Sequence, residues 1–124
     1  MLAQVLLYLG SAFLLFWGIS HLFPTGGVVR GFGDISLDNK RIITMEWINE
    51  GATLIFIAAV VAMATFADYT NPISKLVYWI SFLMLNALSV ISLFTGFKVK
   101  YLPFKLCPVI FTSASLLILV GSFI

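Results

Sequence analysis

Residues 51–67, GATLIFIAAVVAMATFA, form an uncharged apolar run, and whether it crosses a membrane decides between three spans and four. Crossing about 30 Å of hydrocarbon at about 1.5 Å per residue takes roughly 20 residues. The run falls a turn short. It becomes long enough if the helix starts upstream, near Met45, with a cytoplasmic extension reaching back to about Asp38. That start brings Glu46 and Glu50 to the membrane boundary. On either side lie longer uncharged runs, 2–23, 76–97 and 106–124. The expected architecture is therefore all-α, a four-transmembrane-helix bundle in one domain (1–124), with helices over about 2–23, 45–67, 75–97 and 104–124.

Composition leads to the same place. The chain of 124 residues is 61% hydrophobic and 10% charged, with mean hydropathy +1.10, whereas soluble domains carry about 25% charged residues. A net charge of +2, spread thinly, excludes a nucleic-acid partner. The single cysteine, Cys107, excludes an internal disulfide and a C-x-x-C redox pair. It reads as a packing residue beside Pro108, with palmitoylation a lesser reading. The first apolar run lacks a basic n-region and is long enough to span, so it reads as a helix and not as a cleavable leader.

Glycine- and proline-bearing breaks separate the runs: 24–44, Asn71-Pro72 and the segment around Pro103. Segments 24–44 and 98–105 hold Arg30, Lys40, Arg41, Lys98, Lys100 and Lys105, against Lys75 alone in the middle loop. This asymmetry predicts that both segments are cytoplasmic and both termini extracytoplasmic, in the inner membrane of a bacterium or archaeon. Trp47 and Tyr101 at the inner boundary, and Tyr69, Tyr78 and Trp79 at the outer one, suit interfacial belts. Arg30, Lys40 and Arg41 are expected to meet anionic lipid headgroups. The stretch PTGGVVRGFGD (24–34) matches neither G-x-G-x-x-G nor the P-loop, and is expected to be a flexible or re-entrant segment. Ser36 or Asp38 is the expected N-cap of the second spanning helix.

Within lipid, helices associate through small residues and interhelical hydrogen bonds. Gln4, Ser11 and Gly18 fall on one stripe of the first helix, and Gly51, Ala58, Ala62 and Thr65 on one stripe of the second. Asn86, near mid-membrane, is expected to face another helix and bond across to it.

Opposite the second stripe, Glu46, Asn49, Glu50 and Thr53 occupy an arc of about 100°, at the same depth as His21, which closes the first helix. An imidazole and two carboxylates there could bind a headgroup or transfer protons. The plainer reading is that the carboxylates face the positive end of a helix dipole and His21 caps a helix. A metal site is not expected: no E-x-x-H or H-x-x-E-H pattern occurs. No nucleophile motif such as G-x-S-x-G occurs either.

The run GSAFLLFWGISHLF (10–23) resembles the opening of DoxX-like small membrane proteins, with two glycines flanking an aromatic and apolar stretch and a basic position followed by Leu. The resemblance covers helix 1 and the span count. It implies a four-helix fold and, across that broad group, quinone-linked respiratory subunits or membrane chaperones. This chain departs from the pattern at His21, where Lys is frequent, and lacks an Arg before the first glycine.

Three functions are compatible with these residues. The leading expectation is non-catalytic binding of a lipid-like or quinone-like ligand, or of a membrane-protein partner, by a chain that contacts membrane lipid and forms a homo-oligomer or a hetero-complex. The second is a dimeric proton-coupled transporter using Glu50 or Glu46. The third is a lipid-directed enzyme using the His21 and glutamate cluster. No cofactor is identified by the sequence.

Overall fold

In the computed structural model, which describes residues 1–124, the chain folds into five α-helices and one short 3-10 turn. They are α1 (Leu2–Leu22), α2 (Thr25–Gly31), α3 (Leu37–Asp68), α4 (Pro72–Phe94) and α5 (Leu102–Phe123), with the turn at Gly96–Lys98. Four of them, α1, α3, α4 and α5, are long and apolar enough to cross a membrane. The 17-residue run lies inside the 32-residue α3. At 1.5 Å per residue α3 is about 48 Å long, more than the hydrocarbon core requires.

Local chemistry sets the helix limits. Ser36 caps α3 by accepting from the Asn39 amide at 3.2 Å. Asn71 caps α4, its Oδ1 accepting from the Ile73 amide at 2.9 Å, and Pro72 follows at the first helical position, where no amide hydrogen is needed. Pro103 likewise sits in the first turn of α5. It falls at the break between runs and begins the helix that follows.

Segment 24–44 is also not a loop throughout. Residues Thr25–Gly31 form α2, despite three glycines that each cost a helix interior about 1 kcal/mol. Half-buried Val28 and Val29, and the contacts of α2 with α3, offset that cost. Gly33, at φ +72°, then turns the chain toward Ser36.

The four long helices form a ring in which α1 packs extensively on α3 and α5, and α5 on α4; the α3–α4 seam is the slightest. Glycine sets the two tight seams of α1. A Cβ on Gly18 would lie 2.9 Å from the Gly51 carbonyl oxygen, and one on Gly51 would lie 3.1 Å from the Gly18 carbonyl oxygen. On the other face, a Cβ on Gly10 would meet Ile118 at 2.8 Å and one on Gly121 would meet Leu7 at 2.9 Å. The Ser11 hydroxyl donates to the Ala58 carbonyl at 2.7 Å, bonding α1 to α3. Of the expected packing residues, Ser11, Gly18, Gly51 and Ala58 are buried in these seams, while Gln4 and Ala62 are half-buried.

Asn86 differs from expectation. Its Nδ2 donates to the Phe82 carbonyl of its own helix at 2.8 Å, and not across the bundle. That carbonyl is one turn back, within reach of a short amide side chain, so no neighbouring helix is needed.

Candidate functional site

The last turn of α1 and the first exposed-to-buried transition of α3 meet at His21 and Trp47. The two rings stack with centroids 3.9 Å apart and planes 15° from parallel. Trp47 Nε1 donates to the His21 carbonyl at 2.6 Å. That carbonyl belongs to the final turn of α1, where helical donors run out, so the indole satisfies a group the helix leaves open. Phe104 of α5 meets the Trp47 ring edge-on at 5.4 Å, and Tyr101 meets Phe104 at 5.9 Å. Three helices thus contribute to one aromatic cluster.

Glu50 follows Trp47 by three residues on the same side of α3. Its Oε2 lies 3.4 Å from His21 Nε2. The distance suits an ion pair, but the alignment fails the geometry of a hydrogen bond, and Nε2 is left without a hydrogen-bond partner. His21 is 6% exposed, so this nitrogen is withdrawn from solvent. A second buried ring nitrogen, Trp17 Nε1, also lacks a well-aligned hydrogen bond, with the weakly accepting Cys107 sulfur beside it. Trp17 precedes His21 by one turn on α1, so both lie on one face of that helix.

Both side chains line a cavity of about 230 Å³, walled further by Trp47, Tyr101, Phe104 and Cys107. Polar groups buried without a partner cost about 1–3 kcal/mol each, and native structures hold few of them. Two of them belong to residues that line one cavity, which makes this the candidate binding site. A second hollow, about 290 Å³ and almost wholly apolar, lies in the slight α3–α4 seam between Phe56, Val60, Val77 and Met84.

The polar stripe expected on α3 separates. Only Glu50 reaches His21. Glu46 and Asn49 are exposed, and Thr53 donates to the Asn49 carbonyl at 2.7 Å and borders the apolar hollow. Glu46 lies one turn nearer the projecting start of α3, and Asn49 is about 100° around the helix from Glu50. No group of three His, Cys, Asp or Glu side chains converges on a common point. Arg30 and Arg41 are exposed and Lys40 is half-buried; Arg41 pairs with Asp38 at 3.7 Å.

Sequence reasoning placed Trp47 and Tyr101 at the membrane interface and Cys107 in packing, and did not join them with Trp17 and Phe104 around His21. The spacing carried a signal: Trp17 with His21 at i, i+4, and Trp47 with Glu50 at i, i+3, each mark one helix face. No protein-family model, curated protein or solved structure matches the chain.

Proposed function

We propose that this multi-pass membrane protein is a non-catalytic binder of a lipid-like or quinone-like ligand, whose head occupies the cavity between α1, α3 and α5. The observation that carries the reading is the pair of buried, unpartnered ring nitrogens, Trp17 Nε1 and His21 Nε2, in residues lining one aromatic-walled space. A ligand that draws either ring into the cavity and pairs with its nitrogen recovers the cost of that burial on binding. The DoxX-like run of α1 ends at this site, with Trp17 and His21 inside it, and a DoxX-like relationship is part of the proposal. So is the topology: the basic segments flanking the cavity lie on the cytoplasmic face, by the excess of Lys and Arg there.

The test is lipid and quinone analysis of the protein extracted from native membranes in mild detergent. One bound molecule per chain is expected in the wild type, and its loss in Ser20→Phe, which projects a ring into the cavity that Ser20 borders. A wild-type protein that carries no such molecule overturns the reading.

A further inference from the structure

We infer that the outer face of α3 is a dimer interface, along which a second copy of this chain packs its own α3 in parallel and in register. The interface is separate from the cavity and independent of what binds there. Ile42, Asn49, Phe56 and Met63 are exposed and recur every seven residues. Met45, Ala52, Ala59 and Phe66 each follow one of them by three residues, and are exposed too. This is the a and d pattern of a coiled coil, sustained over about 36 Å of helix. The residues by which α3 packs inside its own chain, among them Gly51, Leu54, Ala58 and Val61, lie two positions further along, about 160° round the helix. The stripe is the side that the bundle leaves uncovered.

Lipid chains can cover the part of the stripe inside the hydrocarbon, but not the rest. α3 is about 18 Å longer than the hydrocarbon core is thick, and the uncharged run 51–67 places that excess before Glu50. Ile42 and Met45, 52% and 51% exposed, lie in the excess among Asp38, Lys40, Arg41 and Glu46. An apolar stripe that runs on from lipid into the aqueous zone needs a partner that crosses the same boundary, as another helix does.

Three features make that partner a second copy. Copies inserted alike carry α3 in the same direction, as a parallel pair requires. Beside the stripe, Arg41 falls at a g position and Glu46 at the e position five residues on, the spacing at which opposite charges of parallel helices meet. In a two-fold pair this contact forms twice. Glu46 has no ion pair in its own chain, and the Arg41 pair with Asp38 is solvent-exposed and weak. Asn49, the one polar residue of the stripe from Ile42 onward, stands at an a position opposite its own counterpart. An amide both donates and accepts, so the two satisfy each other and fix the register. Within the membrane, Ala52 and Ala59 let the backbones approach beside the bulk of Phe56 and Met63.

The test counts subunits by single-molecule photobleaching of the labelled full chain in phosphatidylcholine vesicles, over a series of protein-to-lipid dilutions. The wild type is expected to pass from dimer to monomer along the series. Ala52→Phe, which puts a ring where the backbones approach, should raise the dissociation constant at least about tenfold. Leu83→Phe, on the exposed face of α4, should leave it unchanged. Arg41→Glu alone and Glu46→Arg alone should each weaken the dimer about fivefold by setting like charges opposite each other. The double variant restores opposite charges and should return to within about twofold of the wild type.

A wild type that is monomeric at every dilution, a dimer that Ala52→Phe leaves intact or Leu83→Phe weakens as much, or a double variant no better than the single ones overturns the inference. Should Ala52→Phe not fold, the charge exchange, confined to exposed side chains outside the hydrocarbon, decides alone.

Discussion

Where the start of α1 and the end of α5 meet, buried polar groups are partnered; at the opposite end, the ring nitrogens Trp17 Nε1 and His21 Nε2 are buried without a well-aligned hydrogen bond. Thr65 gives its proton to the Val61 carbonyl at 2.7 Å, which leaves Tyr78 to donate to the Thr65 hydroxyl oxygen at 3.0 Å. Ser74 donates to the Ala64 carbonyl at 3.2 Å, Ser122 to Leu119 at 2.7 Å, and the Lys75 ammonium to the Ser122 carbonyl. These bonds join α3 to α4 and α4 to α5. The contrast does not come from packing, since glycine seams are equally tight near both ends: Gly51 against Gly18 in one case, Gly121 against Ala3 and Leu7 in the other. One end is finished as structure. The other holds unspent hydrogen-bonding capacity in residues that line a cavity, which is how a site kept for a ligand would look.

The largest effects should be common to both ends. Gly51→Val and Gly121→Val each force side-chain atoms toward a backbone oxygen that a Cβ would already approach to 3.1 and 3.0 Å, and each is expected to cost about 3 kcal/mol. Steric-trap unfolding in bicelles measures this. If Gly51→Val is harmless while Gly121→Val is not, the cavity end is slack throughout, and its unpartnered nitrogens reflect poor packing.

Smaller effects should separate the ends. Tyr78→Phe removes a donor from a completed network and is expected to destabilise by about 1 kcal/mol, the scale of hydrogen bonds between membrane helices. Trp17→Phe removes a donor that has no partner. Relief of its desolvation offsets the lost ring area, so the ligand-free protein should shift by no more than about 0.5 kcal/mol in either direction. Equal losses in the two variants, measured in the same bicelles, would erase the distinction between the ends.

The spans were legible because length and charge are one-dimensional properties. Even the short run 51–67 calls for a longer helix, because it falls about a turn short of a span. The glycines of 24–34 argue against a helix, and α2 forms nonetheless where it packs on α3, a tertiary fact that composition does not contain. The same limit shaped the site. A helical wheel gives angle about one axis, so it grouped Glu46, Asn49 and Thr53 with Glu50. It could not show that only Glu50 lies at the depth and side where α1 ends. Nor could it distinguish Trp17, Phe104 and Cys107 from ordinary apolar residues, because their roles depend on contacts between α1, α3 and α5.

Asn86 tests the comparison from the middle of the bundle, where the expected effect is smallest. Its amide donates to Phe82, a carbonyl that helix geometry already supplies with the Asn86 backbone amide, so the side-chain bond is a second donor to an occupied acceptor. Half-buried and unconnected to another helix within the chain, it should contribute little to the fold. Asn86→Leu is expected to raise stability by less than about 0.5 kcal/mol, since the substitution removes an amide from hydrocarbon. Mass photometry in nanodiscs should then give the same subunit number as the wild type. A fall in subunit number would mean that the Asn86 carbonyl oxygen bonds to a second copy, and would make mid-membrane assembly, alongside the cavity, a polar function of the bundle.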